Sequence, residues 1–205
     1  MPRTLVIDTA TAACSVALLE SGRVVAGNHV VVGRGHAERL VPMIADLPEG
    51  GRADEIIVDV GPGSFTGIRV GIAAARGLAL GWGVPVRGYS SLTLVAAAAF
   101  ADGETAPLAV VLEGGHGEVF MQGFTASPLV PTEPLASMRP EAALAALAGR
   151  TAVGNGVRWL TQLDLSLATR EALPEAAKAH LLPADLVALP PRPLYGRAPD
   201  AKLPS

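Results

Sequence analysis

The residues with the plainest chemical potential form one stretch, GPGSFTGIRVGIAAARGLALG, from Gly61 to Gly81. Glycine-rich loops that open a helix often hold phosphate, because the free N–H groups of the first turn point at the anion. A phosphate loop needs Gly-x4-Gly-Lys-Ser/Thr, with the lysine reaching the phosphates. Gly61, Gly63 and Gly67 do not give that spacing, and the first lysine in the chain is Lys178. Gly63, Gly67 and Gly71 also miss the Gly-x-Gly-x2-Gly of a dinucleotide fold. What remains of the phosphate reading is a helix start at Thr66 to Ile68 able to meet an anion. A packing reading uses more of the residues. Gly67, Gly71, Ala75 and Ala79 recur every four positions and give the helix one face of small side chains. Ile68 and Ile72 can face a core, while Arg69 and Arg76, seven apart, share an outward side. This pattern fits a helix pair between molecules and fits internal packing against a sheet equally well.

Other reactive side chains are isolated. Cys14 is the only cysteine, which excludes a disulfide or a thiolate zinc site within one chain. It falls mid-strand among apolar residues and reads as a small buried hydrophobe. Ser64, His36 and Asp59 have the types of a nucleophilic triad, but nothing in their spacing brings them together. His36 has Glu38 beside it and no second imidazole, a poor metal site. Glu113 and Glu118 flank GGHG and read as two solvated turn carboxylates. No metal, catalytic residue or cofactor is therefore assigned.

Composition bounds the class. The chain has 205 residues, half of them hydrophobic, and a net charge of −3. Its basic residues are spread along the chain, which gives no clustered face for nucleic acid. No apolar run is long enough to cross a membrane, and MPRTLVIDTATA lacks the core of a signal peptide. A cytoplasmic protein is expected.

The elements that must position these residues follow from periodicity. Arg3–Thr9, Cys14–Glu20 and Arg23–Val32 read as strands of an antiparallel meander, with Ser21-Gly22 as a tight turn. GRGHAERLVPMIADLP switches to helical spacing and places Ala37, Leu40, Val41, Ile44 and Leu47 on one face. Pro42 sits inside that pattern. A buried strand over Glu55–Gly61, a helix from about Thr66 to Trp82, a strand at VPVRG and the helix LTLVAAAAF complete the first half. The order β-β-β-α-β-α-β-α implies an α/β fold with a mixed sheet and helices on its faces, the ribonuclease-H-like unit that actin-like ATPase folds repeat. A smaller, degenerate repeat is expected after it, with a hairpin around Gly114–Gly117, a helix opened by Pro140, a short strand TAVGNG and two short helices between Val157 and Leu182. The expected division is an N-terminal domain over 1–104 and a C-terminal domain over 105–205. The end of the second is Pro-rich, and its RPLYGR can lie extended across the first domain.

IDTATAACSVALL, GHAERLVPMI, the glycine-rich stretch, VPVRGYSSL and the tail PRPLYGRAPDA together resemble the TsaB (YeaZ) family. The likeness runs from the N-terminus to about Leu94, loosens, and returns at PLYGRAPDA. It implies a non-catalytic actin-like subunit that binds the catalytic paralogue TsaD, together with the ATPase TsaE. That assembly makes N6-threonylcarbamoyladenosine (t6A) beside the anticodon, so this chain would meet tRNA only through the complex. The paralogue's metal-binding His-x3-His is reduced here to His36 and Leu40. Asp8 ends the first strand, where the superfamily carries a carboxylate near metal and phosphate, but the usual following glycine is missing. EGGHGEVF departs from the family's Asp-Ala-Arg-x-Gly-Glu-x-Tyr, so the resemblance assigns that loop no role. By the resemblance, the partner surface comprises His36, Arg39, Leu40 and Met43 on the first crossover helix and Arg69, Ile72, Ala73 and Arg76 on the second. Gly61, Gly63, Gly67 and Gly71 would shape the loop and let the second helix pack closely. The same surface implies a homodimer when the partner is absent, and a subunit junction could hold a nucleotide. The rival reading is a free-standing enzyme of the same fold, a small-molecule kinase or a peptidase.

Overall fold

In the computed structural model, which describes residues 1–194, the chain opens with the expected meander. Strands β1 (Arg3–Asp8), β2 (Ala13–Glu20) and β3 (Arg23–Val31) pair antiparallel in sequence order. Ser21 and Gly22 both take positive φ, 51° and 76°, which suits the twist of a two-residue hairpin. Helix α1 (His36–Ala45) then crosses to β4 (Glu55–Asp59), and α2 (Phe65–Trp82) crosses to β5 (Val86–Tyr89). Both crossovers return parallel strands, giving the sheet order β3-β2-β1-β4-β5. β2 is buried from Ala13 to Leu19 because helices cover one face of the sheet and later segments the other.

α3 (Ser91–Ala101) is apolar all round and accordingly buried on nearly every side. Leu94 and Ala97 pack with the first sheet; Leu92, Val95, Ala96 and Ala99 pack with the second. The second sheet is built from β6 (Leu108–Glu113), β7 (Val119–Ala126), β8 (Leu129–Pro131), β10 (Thr151–Val153) and β11 (Thr169–Arg170). β9 (Ala136–Met138) pairs with β7 beside it, and α4 (Pro140–Leu147) and α5 (Val157–Thr161) are its helices. Read from the parallel edge, the first sheet is β5-β4-β1-β2-β3 and the second is β11-β10-β6-β7-β8. Each step has the same sense, two parallel pairings followed by two antiparallel ones. The second half is therefore a reduced copy of the first: α2 has 18 residues, and α5 in the corresponding place has 5. This is the repeated actin-like arrangement. β8, β9 and β11 have no counterpart in the sequence reading.

The end of the chain returns to the first sheet. A 3-10 turn over Ala176–Leu181 packs on β2 and β3, where the Ala176 N–H donates to Ser15 Oγ at 2.9 Å. Beyond it a second 3-10 turn over Ala184–Val187 packs on β5, and the chain then runs on beside β5 and α2. Leu189 pairs with Gly88, Arg76 Nη2 donates to the Pro191 carbonyl at 2.6 Å, and the Leu194 N–H donates to the Val60 carbonyl at 2.7 Å. RPLYGR thus crosses the first sheet as far as Leu194; its remainder and the rest of the tail, residues 195–205, lie outside the described residues.

Candidate functional site

The glycine-rich loop resolves in favour of internal packing. Ser64 caps α2, its Oγ accepting the Gly67 N–H at 3.2 Å. A side chain on Gly63 would strike the Ala10 carbonyl, one on Gly67 the Thr9 carbonyl, and one on Gly71 the Thr9 hydroxyl. Gly61, at φ 99°, lies against Ile68. Gly67, Gly71, Ala75 and Ala79 are all buried, so the small-residue face packs on the chain's own β1 and β4. The outward face of α2 is a different row: Ala73, Arg76, Gly77 and Leu80 are exposed, Leu80 by 88%.

The same rule corrects four of the eight partner-surface candidates. His36, Leu40, Met43 and Ile72 are buried in the core between the helices and the first sheet. The apolar stripe of an amphipathic helix marks the side its own sheet needs, and on α1 that side is His36, Leu40, Met43 and Ile44. Ala37 and Val41, expected on that stripe, face solvent. Arg39, Ala73 and Arg76 are exposed, and Arg69 is partly so, its guanidinium lying 3.2 Å over the Phe65 ring. Neighbouring helices α1 and α2 therefore present Arg39, Val41, Ala73, Arg76 and Leu80 outward. The signal that finds Val41 and Leu80 is their offset from the small-residue and Leu-Met-Ile stripes, once those stripes are given to the core.

The triad types do not assemble. His36 Nε2 lies 2.9 Å from the Thr11 carbonyl and 3.1 Å from the Ala13 carbonyl, Asp59 is bound by Ser91 and Gly61, and Ser64 serves as a helix cap. Because both neighbours of Nε2 are carbonyls, that nitrogen carries the proton. Glu113 pairs with Arg158 and accepts from Trp159 Nε1 at 3.1 Å, while Glu118 accepts from Ser137 Oγ at 2.7 Å. Among the described residues no group of three or more His, Cys, Asp or Glu side chains is placed to hold a metal ion. Cys14 is fully buried, and burial together with the nearby Asp8 pushes its thiol up to about 11. Among the described residues no helix is long and apolar enough to cross a membrane.

Between the two sheets lies a cleft of about 980 Å³. One wall is the Ala10–Ala12 turn with Ser64 and Phe65; the other is the Glu113–His116 hairpin with Asn155. Behind the first wall sit two carboxyls, Asp8 and Asp59, 0% and 1% exposed. Burial and the proximity of Asp59 hold the Asp8 carboxyl well above the ordinary carboxylate range; burial raises Asp59 less, because more donors serve it. Asp8 is thus a buried, partnered strand-end residue and is not among the residues that line the cleft.

Comparison with known proteins adds the family. Residues 30–127 match the family model described as TsaD, tRNA N6-adenosine threonylcarbamoyltransferase. The tRNA threonylcarbamoyladenosine biosynthesis protein TsaB of Escherichia coli is 40% identical over 123 residues, 58% of this chain and 53% of that protein. The chain thus spans about half the length of the curated TsaB relatives it matches there, 53% and 51% for those of Escherichia coli and Haemophilus influenzae. An uncharacterized protein of Mycobacterium tuberculosis is 32% identical over 97% of this chain and 93% of its own. Among solved structures, YeaZ from Pseudomonas aeruginosa superposes with a TM-score of 0.77 at 29% identity, covering 95% of this chain and 100% of that one. A second Pseudomonas aeruginosa structure, described as an uncharacterized protein with similarity to peptidase YeaZ, superposes at 0.78 with 30% identity over 96% and 100%. With whole-chain likeness to YeaZ structures and sequence identity to TsaB in its first half, the chain belongs to the TsaB (YeaZ) family.

Proposed function

We propose that this chain is the non-catalytic partner of a TsaD paralogue in t6A biosynthesis, acting in the cytoplasm and meeting tRNA only through the complex. The observation that carries the reading is the solvent side of α1 and α2, where Val41 is 60% and Leu80 88% exposed on helices that also expose Arg39, Ala73 and Arg76. Large apolar side chains left in solvent beside arginines have the composition of an interface centre. A specific interface buries about 1,600 Å² in total, which two neighbouring helices can supply in large part. The small residues Ala73 and Gly77 allow a partner helix to approach closely. The same surface would self-associate when TsaD is absent, and TsaE would join the pair as the ATPase. The reading gives this chain no catalytic residue and no cofactor of its own, leaving any nucleotide to a subunit junction. It is supported by the unassembled Ser64, His36 and Asp59 and by the pairing of Glu113 with Arg158.

Light scattering after size exclusion tests it, on the full chain alone and mixed with TsaD from the same organism. A heterodimer replacing the free species is expected, and its loss in Leu80→Asp or Val41→Asp would locate the surface. A stable homodimer that TsaD does not displace would overturn the reading, as would ATP or peptide turnover by the isolated chain.

A further inference from the structure

We propose that Asp8 and Asp59 hold one proton between them, and that this shared proton clasps the Ala10 turn to the Gly61 loop at the back of the cleft. The two carboxyls come from neighbouring parallel strands, β1 and β4, at the position that follows the Ile7–Val58 pairing, so they stand side by side on one face of the sheet. Neither is open to solvent, and among the described residues no arginine, lysine or histidine is ion-paired or hydrogen-bonded to either. Two buried anions in contact, with no cation, would repel in a medium that screens them poorly. One proton between them converts that repulsion into a charge-assisted hydrogen bond.

The donors around the pair say which carboxyl keeps the proton. Asp59 is served by the Gly61 N–H at 2.6 Å and by Ser91 Oγ, which lies 2.8 and 2.7 Å from its two oxygens. Asp8 is served by Tyr89 OH at 3.0 Å and by the Ala10 N–H at 3.4 Å. The shorter donors favour the anion at Asp59, so the proton stays on Asp8 and is donated to Asp59. The titratable group facing the pair is Tyr89 from β5, and Cys14 of β2 lies near it across the sheet, both pushed up and neutral at pH 7; α3 contributes the Ser91 hydroxyl. His36 of α1 reaches the carbonyls of Thr11 and Ala13 on the adjoining turn.

The position makes the pair a device. Asp8 fixes Ala10, Asp59 fixes Gly61, and the Ser64 N–H donates to the Ala10 carbonyl at 2.6 Å. Both loops wall the cleft, and the second sets the start of α2. Removing the shared proton would drive the two loops apart from behind and loosen cleft and helix together.

Carbon-13 titration of the aspartate carboxyls in the full chain tests the pair directly. The Asp8 carboxyl carbon is expected to keep the resonance of a protonated acid at pH 7 while Asp59 shows the carboxylate. Both carboxyls fully ionised at pH 7 would overturn the proposal. Chemical denaturation across pH 5 to 8 is the second readout. A proton kept in the native state and lost from the unfolded chain lowers the folding constant by up to tenfold per pH unit. Asp8→Asn supplies a permanent N–H donor to Asp59, so it should fold and flatten that fall. Asp59→Asn removes an acceptor from Gly61 and Ser91 and should lower stability at every pH. The same pH slope in Asp8→Asn as in the unaltered chain, or Asp59→Asn as the better tolerated of the two, would overturn the assignment.

Discussion

Thr9 and Gly67 are locked together across 58 residues of chain: the Thr9 hydroxyl donates to the Gly67 carbonyl at 2.7 Å, and a methyl on Gly67 would run into the Thr9 carbonyl oxygen. The obstacle is backbone rather than a flexible side-chain end, so it cannot swing away. Gly67→Ala is expected to destabilise the chain by about 3 kcal/mol, the upper part of the range for overpacked cores. Gly77, on the outward face of the same helix, meets nothing within 4 Å. Gly77→Ala should stabilise by about 0.5–1 kcal/mol, since only helix propensity changes. Urea unfolding of both variants checks the pair. Equal effects would mean that the close approach of α2 to β1 is not what the glycines serve.

His36 shows how a side chain can look like a ligand and be a clamp. Its Nε2–H is shared between the Thr11 and Ala13 carbonyls, which pins α1 to the turn between β1 and β2. His36→Leu should cost about 1–3 kcal/mol, because those buried carbonyls lose their donor. Added zinc or a chelator should leave the thermal midpoint of the unaltered chain where it was. A midpoint that rises with zinc in the unaltered chain, with that rise lost in His36→Leu, would instead make His36 a metal ligand.

The proposed partner surface separates by burial. Leu80→Asp and Val41→Asp put charge where water already reaches, so both should fold normally. At an interface centre each would weaken TsaD binding by roughly 2 kcal/mol or more. Met43→Asp differs in kind, because Met43 is 5% exposed and packs in the first core. It would bury a carboxylate with no cation and should unfold the chain rather than report on binding. Circular dichroism before each titration distinguishes the two outcomes.

Much of the first sheet was legible because its strands and crossover helices are long enough to show a period. β4 reads as a near-continuous apolar run, α2 as a glycine-spaced helix, and the order of the elements implies the mixed sheet. The second sheet was harder because β8, β9, β10 and β11 have three residues or fewer, too short to carry a period. The side of α2 that faces the sheet was not decidable from spacing. α2 has two small-residue rows, Gly67-Gly71-Ala75-Ala79 and Ala73-Gly77-Gly81, and only the approach of Thr9 selects the first. The acid pair was invisible because Asp8 and Asp59 are 51 residues apart and meet only through the pairing of β1 with β4.

Tyr89 provides a test of pH dependence through a third group. Its hydroxyl, fully buried, donates to Asp8 Oδ2 at 3.0 Å and lies 3.3 Å from the Ile7 carbonyl. That bond favours the Asp8 anion and so pulls the carboxyl down, against the larger upward effects of burial and Asp59. Asp8 is therefore raised in the native chain above its unfolded value of about 3.9. A raised acid contributes stability that is full below the unfolded pKa and is lost as pH rises through the native one. Tyr89→Phe removes the downward pull and moves the native value higher still, so the decline should extend to higher pH. The lost hydrogen bond itself should cost about 1 kcal/mol where Asp8 is neutral in both chains. Thermal midpoints at half-unit steps from pH 4 to 9 resolve the two effects, one a constant offset and the other a widening gap. A gap that narrows as pH rises would reverse the sign of the coupling between Tyr89 and Asp8.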